Sequence, residues 1–158
     1  MSIAHHKVLG IGVDVVETAR IESSIDRFGD RFLQRVFTEG EIQYCNSMKF
    51  PARHLAARFA AKEAVSKAFG TGIGASMGWK EIEVKRKESG EPFIQLHGAA
   101  LEHARQLNVT EVFASLSHSD NYSVANAVVT ALNVDVEAAV PAAFSELTAE
   151  RKDTTTVG

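Results

Sequence analysis

The sequence predicts an α+β fold in which a small antiparallel sheet packs with one long central helix. Three observations support this. Lys7 to Val16 is rich in valine, isoleucine and glycine, as a strand would be. Pro51 to Gly70 is alanine-rich and free of breakers, with proline suited to a first helical turn and glycine to a left-handed cap. Elements then follow one another as grouped helices and hairpins, not as alternating strand and helix, which disfavours a parallel sheet.

Taken in order, Lys7–Val16 reads as a buried first strand. Period-2 alternation puts Gly12, Asp14 and Val16 on one face and Ile11, Val13 and Val15 on the other. Thr18 to Phe28 is helical, with Ile21, Ile25 and Phe28 spaced by four and three, and Gly29 breaks it before two further turns over Asp30–Val36. Thr38-Glu-Gly-Glu41 matches a capping box opening a helix from Glu39 to about Ser47. Beyond the long helix, Thr71 to Gly78 holds three glycines and reads as a loop. Lys80 to Lys87 alternates with Ile82 and Val84 inward, and Ser89-Gly-Glu-Pro92 turns it into a hairpin with Phe93–Leu96. Gly98 to Leu107 is helical through Leu101, Ala104 and Leu107. Glu111–Leu116 and Tyr122–Leu132 form two strands around the polar turn Ser117–Asn121.

The 158 residues, 45% of them hydrophobic, suit one domain with a sizeable core. A net charge of −3 provides no global basic field for nucleic acid. Of 17 basic and 20 acidic side chains, residues 133–158 hold 2 and 5, so the formal excess lies in that tail. The reading therefore divides the chain into a domain over 1–132 and a mobile extension over 133–158, where periodicity fades. The lone Cys45 allows no internal disulfide and no zinc cluster, in keeping with a reducing compartment. No signal-peptide core or membrane-length apolar run occurs, so the expectation is a soluble, cytoplasmic protein without a membrane role.

The chemistry concentrates in two places. Asp14 lies on an apolar strand, where a bare carboxylate costs several kcal/mol unless it is paired or bound to metal. Glu63 and Lys67 lie one turn apart on the long helix, after Arg58 and Lys62 and before the turn Gly70-Thr71-Gly72. On spacing alone Glu63–Lys67 is an ordinary helix pair, and Arg58 with Lys62 a solvated face. Together, two separated carboxylates and a basic helix suit magnesium, which takes one or two carboxylates, waters and substrate phosphate oxygens. No Walker loop is present, so any nucleotide must be held another way. His118 lies in a hydroxyl-rich turn with no nucleophile elbow nearby, and the other five histidines, His54 among them, show no metal spacing. Arg20, Arg27, Arg31 and Arg35 recur along the early helices, nearly balanced by acids, and form a docking surface only if they share a side.

The motifs Gly10-Ile-Gly-Val-Asp14, Arg58-Phe-Ala-Ala-Lys-Glu63-Ala and Lys67-Ala-Phe-Gly-Thr-Gly72, with the closing strand pair, resemble the holo-acyl carrier protein synthase family of bacterial 4′-phosphopantetheinyl transferases. The resemblance runs from Gly10 to about Leu132 and leaves the last residues uncovered. It implies transfer of phosphopantetheine from coenzyme A to a serine of apo-acyl carrier protein, releasing adenosine 3′,5′-bisphosphate. It further implies magnesium on Asp14 and Glu63, and Lys67 near the phosphates and active with those two acids in catalysis. Arg58 and His118 fall at the adenosine bisphosphate end, and Gly70, Thr71 and Gly72 join the cofactor-binding set. The acidic helix of the carrier is expected near Arg20 and Arg27, and the assembly is expected to be a homotrimer with sites between subunits. From the residues alone, a metal-dependent nucleotide pyrophosphohydrolase and a non-catalytic docking module stay open beside the transferase.

Overall fold

A computed structural model describes residues 5–133. The elements are β1 (His5–Glu17), α1 (Thr18–Phe28), α2 (Asp30–Val36), α3 (Glu39–Asn46), α4 (Pro51–Ala68), a 3-10 turn (Trp79–Glu81), β2 (Ile82–Arg86), β3 (Pro92–Leu96), α5 (Gly98–Gln106), β4 (Val109–His118) and β5 (Tyr122–Asn133). β5 lies between β1 and β4 in an antiparallel three-stranded sheet, while β2 and β3 form a separate antiparallel hairpin. The α+β expectation and the order of elements hold.

α4 packs on the inner face of the three-stranded sheet through unusually small side chains. Gly10 and Gly12 of β1 lie against the backbone of Ala68 and Ala64, and Ala125, Ala127 and Ala131 of β5 are buried beside them. Small residues on both surfaces let helix and strand backbones meet, and that approach brings a strand residue such as Asp14 within reach of helix side chains. Larger side chains seal the ends: Leu55, Phe37, Met77 and Ile82 are each no more than 2% exposed. Burying a side chain of that size contributes roughly 1.5–3 kcal/mol.

Helix ends follow the sequence. Thr38 Oγ1 accepts from the Glu41 amide and Glu41 Oε2 from the Thr38 amide, completing the capping box. Gly70 takes φ +75°, the left-handed cap that favours glycine. Ile82 and Val84 face inward as alternation requires, although the strand starts at Ile82 because Trp79–Glu81 forms the 3-10 turn. β4 runs on to His118, so the final turn shrinks to Ser119–Asn121. In α5 the buried positions are Ala100 and Ala104, with Leu101 and Leu107 only partly covered.

Two expectations are corrected. β1 is buried on one face only: Ile11 is 73% exposed and Val13 and Val15 are each 56% exposed. An apolar run alone does not tell a strand buried on both faces from one whose second face lacks a cover within the chain. Arg58 and Lys62 form no solvated face, because both are buried. The 133–158 extension begins inside the fold, since Asn133 pairs with His5 at the end of β5; its remainder lies outside the described residues.

Candidate active site

Asp14 projects from the inner face of β1, opposite Ala125 of β5, toward α4. Lys67 Nζ donates to Asp14 Oδ1 at 2.8 Å and to the Val13 carbonyl at 3.1 Å. Glu63 lies one turn back on the same helix face. Burial pushes its carboxyl above the usual range, the negative charge of Asp14 adds to that, and Lys67 opposes it. Lys67 thus ties the strand acid to the helix face that carries Glu63. The helix pair Glu63–Lys67 does not form: Lys67 turns to Asp14 instead, leaving the Glu63 carboxylate without a hydrogen-bond or ion-pair partner among the described residues.

The donor set is chemically suited to a hard divalent cation. Among the described residues no group of three or more His, Cys, Asp or Glu is arranged to hold a metal. Two carboxylates provide only part of a shell, and magnesium completes such shells with waters and phosphate oxygens. The Lys67 ammonium on Asp14 Oδ1 already sets one positive charge against the strand acid.

A second cluster surrounds Arg58. Its guanidinium lies over the Tyr44 ring at 4.3 Å, and Arg86 lies over the same ring at 5.2 Å while donating to the Tyr44 hydroxyl at 2.8 Å. His54 meets Tyr44 edge-on at 6.0 Å and His118 at 5.0 Å between ring centroids. Arg58 is 4% exposed, its Nε has no partner, and Nη1 makes only a long bond to the His54 carbonyl, 3.4 Å. Neither Arg58 nor Arg86 reaches a carboxylate among the described residues, whereas Arg53 pairs with Asp120 at 2.9 Å. Burial, then the nearby His118, Arg58, Arg86 and Arg53, hold His54 below its ordinary pKa. Such an uncompensated basic cluster suits a phosphate.

Tyr44, His54 and Arg86 were missed from sequence. His54 stands four residues before Arg58, on the same helix face, and that spacing was the available signal. Arg86 and Tyr44 come from other elements and carried none.

The two clusters face different ways, because Arg58 and Glu63 are five residues apart, about 140° around a helix. The structure thus joins Asp14, Glu63 and Lys67, and separately joins Arg58 and His118. At the Gly70–Gly72 turn the three amides are engaged in capping: Gly70 donates to Lys67 O, and Thr71 and Gly72 both donate to Ser66 O. The turn therefore offers no free amide nest to a phosphate. Lys62, next to Glu63, is wholly buried, donating to Glu41 Oε2 at 2.8 Å and Trp79 O at 2.9 Å. Glu41 Oε1 in turn accepts from the Val84 amide. This buried pair ties α3 and β2 to the helix that carries the site.

A hollow of about 420 Å³ lined by Phe28, Arg31, Phe32, Arg35, Phe59 and Trp79 opens one turn before Glu63 on α4. Arg20 and Arg27, seven residues apart and so on one side of α1, are exposed beside it in sequence.

A family model described as the 4′-phosphopantetheinyl transferase superfamily matches residues 10–127, which include Asp14, Glu63, Lys67, Arg58 and His118. The chain belongs to the 4′-phosphopantetheinyl transferase superfamily. It is 46% identical over 121 residues to the holo-[acyl-carrier-protein] synthase of Koribacter versatilis, covering 77% of this chain and 97% of that one. Among solved structures it is similar to holo-[acyl-carrier-protein] synthase from Neisseria meningitidis, with TM-score 0.74, 31% identity and coverage of 78% and 98%. It is also similar to the Bacillus anthracis synthase in complex with CoA (3′,5′-ADP), with TM-score 0.66, 35% identity and coverage of 78% and 97%. The family model thus spans most of the described residues and ends at residue 127.

Proposed function

We infer that this chain transfers the 4′-phosphopantetheine group of coenzyme A to a serine hydroxyl of apo-acyl carrier protein, releasing adenosine 3′,5′-bisphosphate. The observation that carries the reading is the meeting of Asp14, Glu63 and Lys67 at the contact of β1 with α4. In the reaction the serine hydroxyl gives up its proton to solvent and its oxygen forms a bond to the β-phosphorus of coenzyme A. The bridging P–O bond breaks, and its electron pair leaves with the nucleotide phosphate. Asp14 and Glu63 are the residues that would hold magnesium, whose chemistry here is to neutralise the diphosphate oxygens as charge develops. Lys67 supplies an ammonium, half-exposed on a flexible stem, to the phosphate oxygens that the metal would leave unneutralised. Alignment of the two bound reactants lowers the rest of the barrier.

Arg58 and His118, joined by His54 and Arg86, fit the phosphates at the adenosine end, and the orphaned Nε of buried Arg58 supports that assignment. Because this cluster and the acid pair lie on different sides of α4, a ligand that touches both would bridge two copies of the chain. The outer face of the three-stranded sheet is where those copies would meet. Ile11, Val13, Val15 and Phe113 are each more than half exposed there, an apolar surface that a homotrimer would cover. Exposed Arg20 and Arg27 suit the acidic helix of the carrier, and the hollow at Phe28, Phe32 and Phe59 suits one of its apolar side chains. No helix among the described residues is long and apolar enough to cross a membrane, and we place the enzyme in the cytoplasm, with its coenzyme A supply.

The test is to mix the protein with apo-acyl carrier protein, coenzyme A and magnesium and weigh the carrier. A phosphopantetheine-sized gain, lost with EDTA and in Asp14→Ala and Glu63→Ala, supports the mechanism. Coenzyme A cleaved with the carrier unchanged would overturn it in favour of hydrolysis. A sizing column tests the trimer.

A further inference from the structure

Lys67 occupies the place where a cation is wanted. Its ammonium makes two bonds, one to Asp14 Oδ1 and one to the Val13 carbonyl, and Asp14 is the more covered partner, 17% exposed against 48% for Lys67. Glu63, beside them, has no side-chain partner among the described residues. The site therefore holds two acids and one built-in cation that is free to swing away on four methylenes.

We propose that Lys67 is an exchangeable plug: it fills the metal site of the free enzyme and vacates it when a diphosphate offers the ammonium a new partner. The inference rests on the metal reading of Asp14 and Glu63 given above. A divalent cation arriving alone must displace the ammonium from Asp14 and leave it without a carboxylate. Arriving with coenzyme A, the same cation takes over Asp14 while Lys67 moves to a phosphate oxygen, so no charge is stranded. Metal and diphosphate then favour each other's binding through one side chain, and the coupling is reciprocal by linkage. The device keeps the acids compensated between turnovers and favours loading of metal and substrate together.

Manganese, read by the electron paramagnetic resonance signal of the free ion, is the probe. The wild-type protein is expected to bind Mn2+ weakly alone and more tightly with coenzyme A. Lys67→Met should bind Mn2+ alone about fivefold more tightly than wild type, the scale of one half-exposed ion pair. Its gain from added coenzyme A should shrink by a similar factor. Lys67→Arg, which preserves the pairing, should stay near the wild-type affinity, and Lys67→Gln should follow Lys67→Met. Equal or weaker Mn2+ binding by both neutral variants, with folding intact by circular dichroism, would overturn the plug while leaving the metal site standing. Mn2+ binding in the presence of coenzyme A that survives Asp14→Asn and Glu63→Gln would instead overturn the metal reading, and the plug with it.

Discussion

Gly12→Ala tests the link between fold and chemistry most directly. A Cβ there would overlap the Ala64 carbonyl oxygen and lie 2.8 Å from the Ala68 nitrogen and 3.0 Å from the Ala64 carbonyl carbon. All three are helix backbone atoms that cannot rotate aside, and ordinary contact needs about 3.5 Å. Relief therefore requires β1 and α4 to part by about 1.5 Å, since no flexible side chain takes up the overlap. Overpacking of this kind costs roughly 1–3 kcal/mol, a fall in Tm of roughly 3–12 °C for a domain of this size. The larger effect is on activity. Asp14 is two residues along the same strand and Glu63 directly precedes Ala64, so the wedge opens the gap between the two acids. Misplacing reacting groups by about 1 Å can cost about 100-fold in rate. Carrier modification followed by mass spectrometry should thus show a loss of about two orders of magnitude in kcat/KM, with Mn2+ affinity reduced alongside. Gly40→Ala is the matched control, because its Cβ would meet nothing closer than Glu83 Oε1 at 3.7 Å, an ordinary contact. Full activity in Gly12→Ala with an unchanged Tm would refute the reasoning.

Further outcomes follow from the same geometry. Lys62→Met leaves Glu41 charged in a buried site without its cation, and denaturant titration should show a loss of about 3–5 kcal/mol. Glu63→Gln should abolish transfer yet raise Tm at pH 7. A carboxyl whose folded pKa is raised is most favourable to the fold below its unfolded pKa, and that benefit is lost as pH rises through the folded value; the gain from glutamine should therefore vanish near pH 4 in calorimetry. For the same reason Mn2+ binding by the wild-type protein should weaken as pH falls through the raised pKa of Glu63. Cys45 is fully buried, and burial pushes its thiol up to about 11, so Ellman's reagent at pH 8 should react only as fast as the protein opens.

Much of this molecule is local, and local chemistry is legible in a sequence. The capping box at Thr38 and Glu41, the break at Gly29 and the left-handed cap at Gly70 each depend on a few adjacent residues, and α1 and α2 have the expected bounds. Asp14 and Glu63 were likewise visible as candidates, one because a charge on an apolar strand needs a partner, the other because of its basic helix. Partners distant in sequence were not visible. Lys62 read as surface because its acid, Glu41, is 21 residues away on another helix. Lys67 read as the mate of Glu63 because a helix surface pairs residues four apart, whereas Asp14 wins it from across the strand–helix contact. His54, Arg86 and Tyr44 became a cluster only where three elements converge. The outward valines of β1 read as core because hydrophobicity states that a surface must be covered, not which chain covers it. Short-range order follows from backbone preference and periodicity, which the sequence carries by itself; the pairing of charges is a property of distance in space, and only the packing of α4 on Gly10 and Gly12 set that distance.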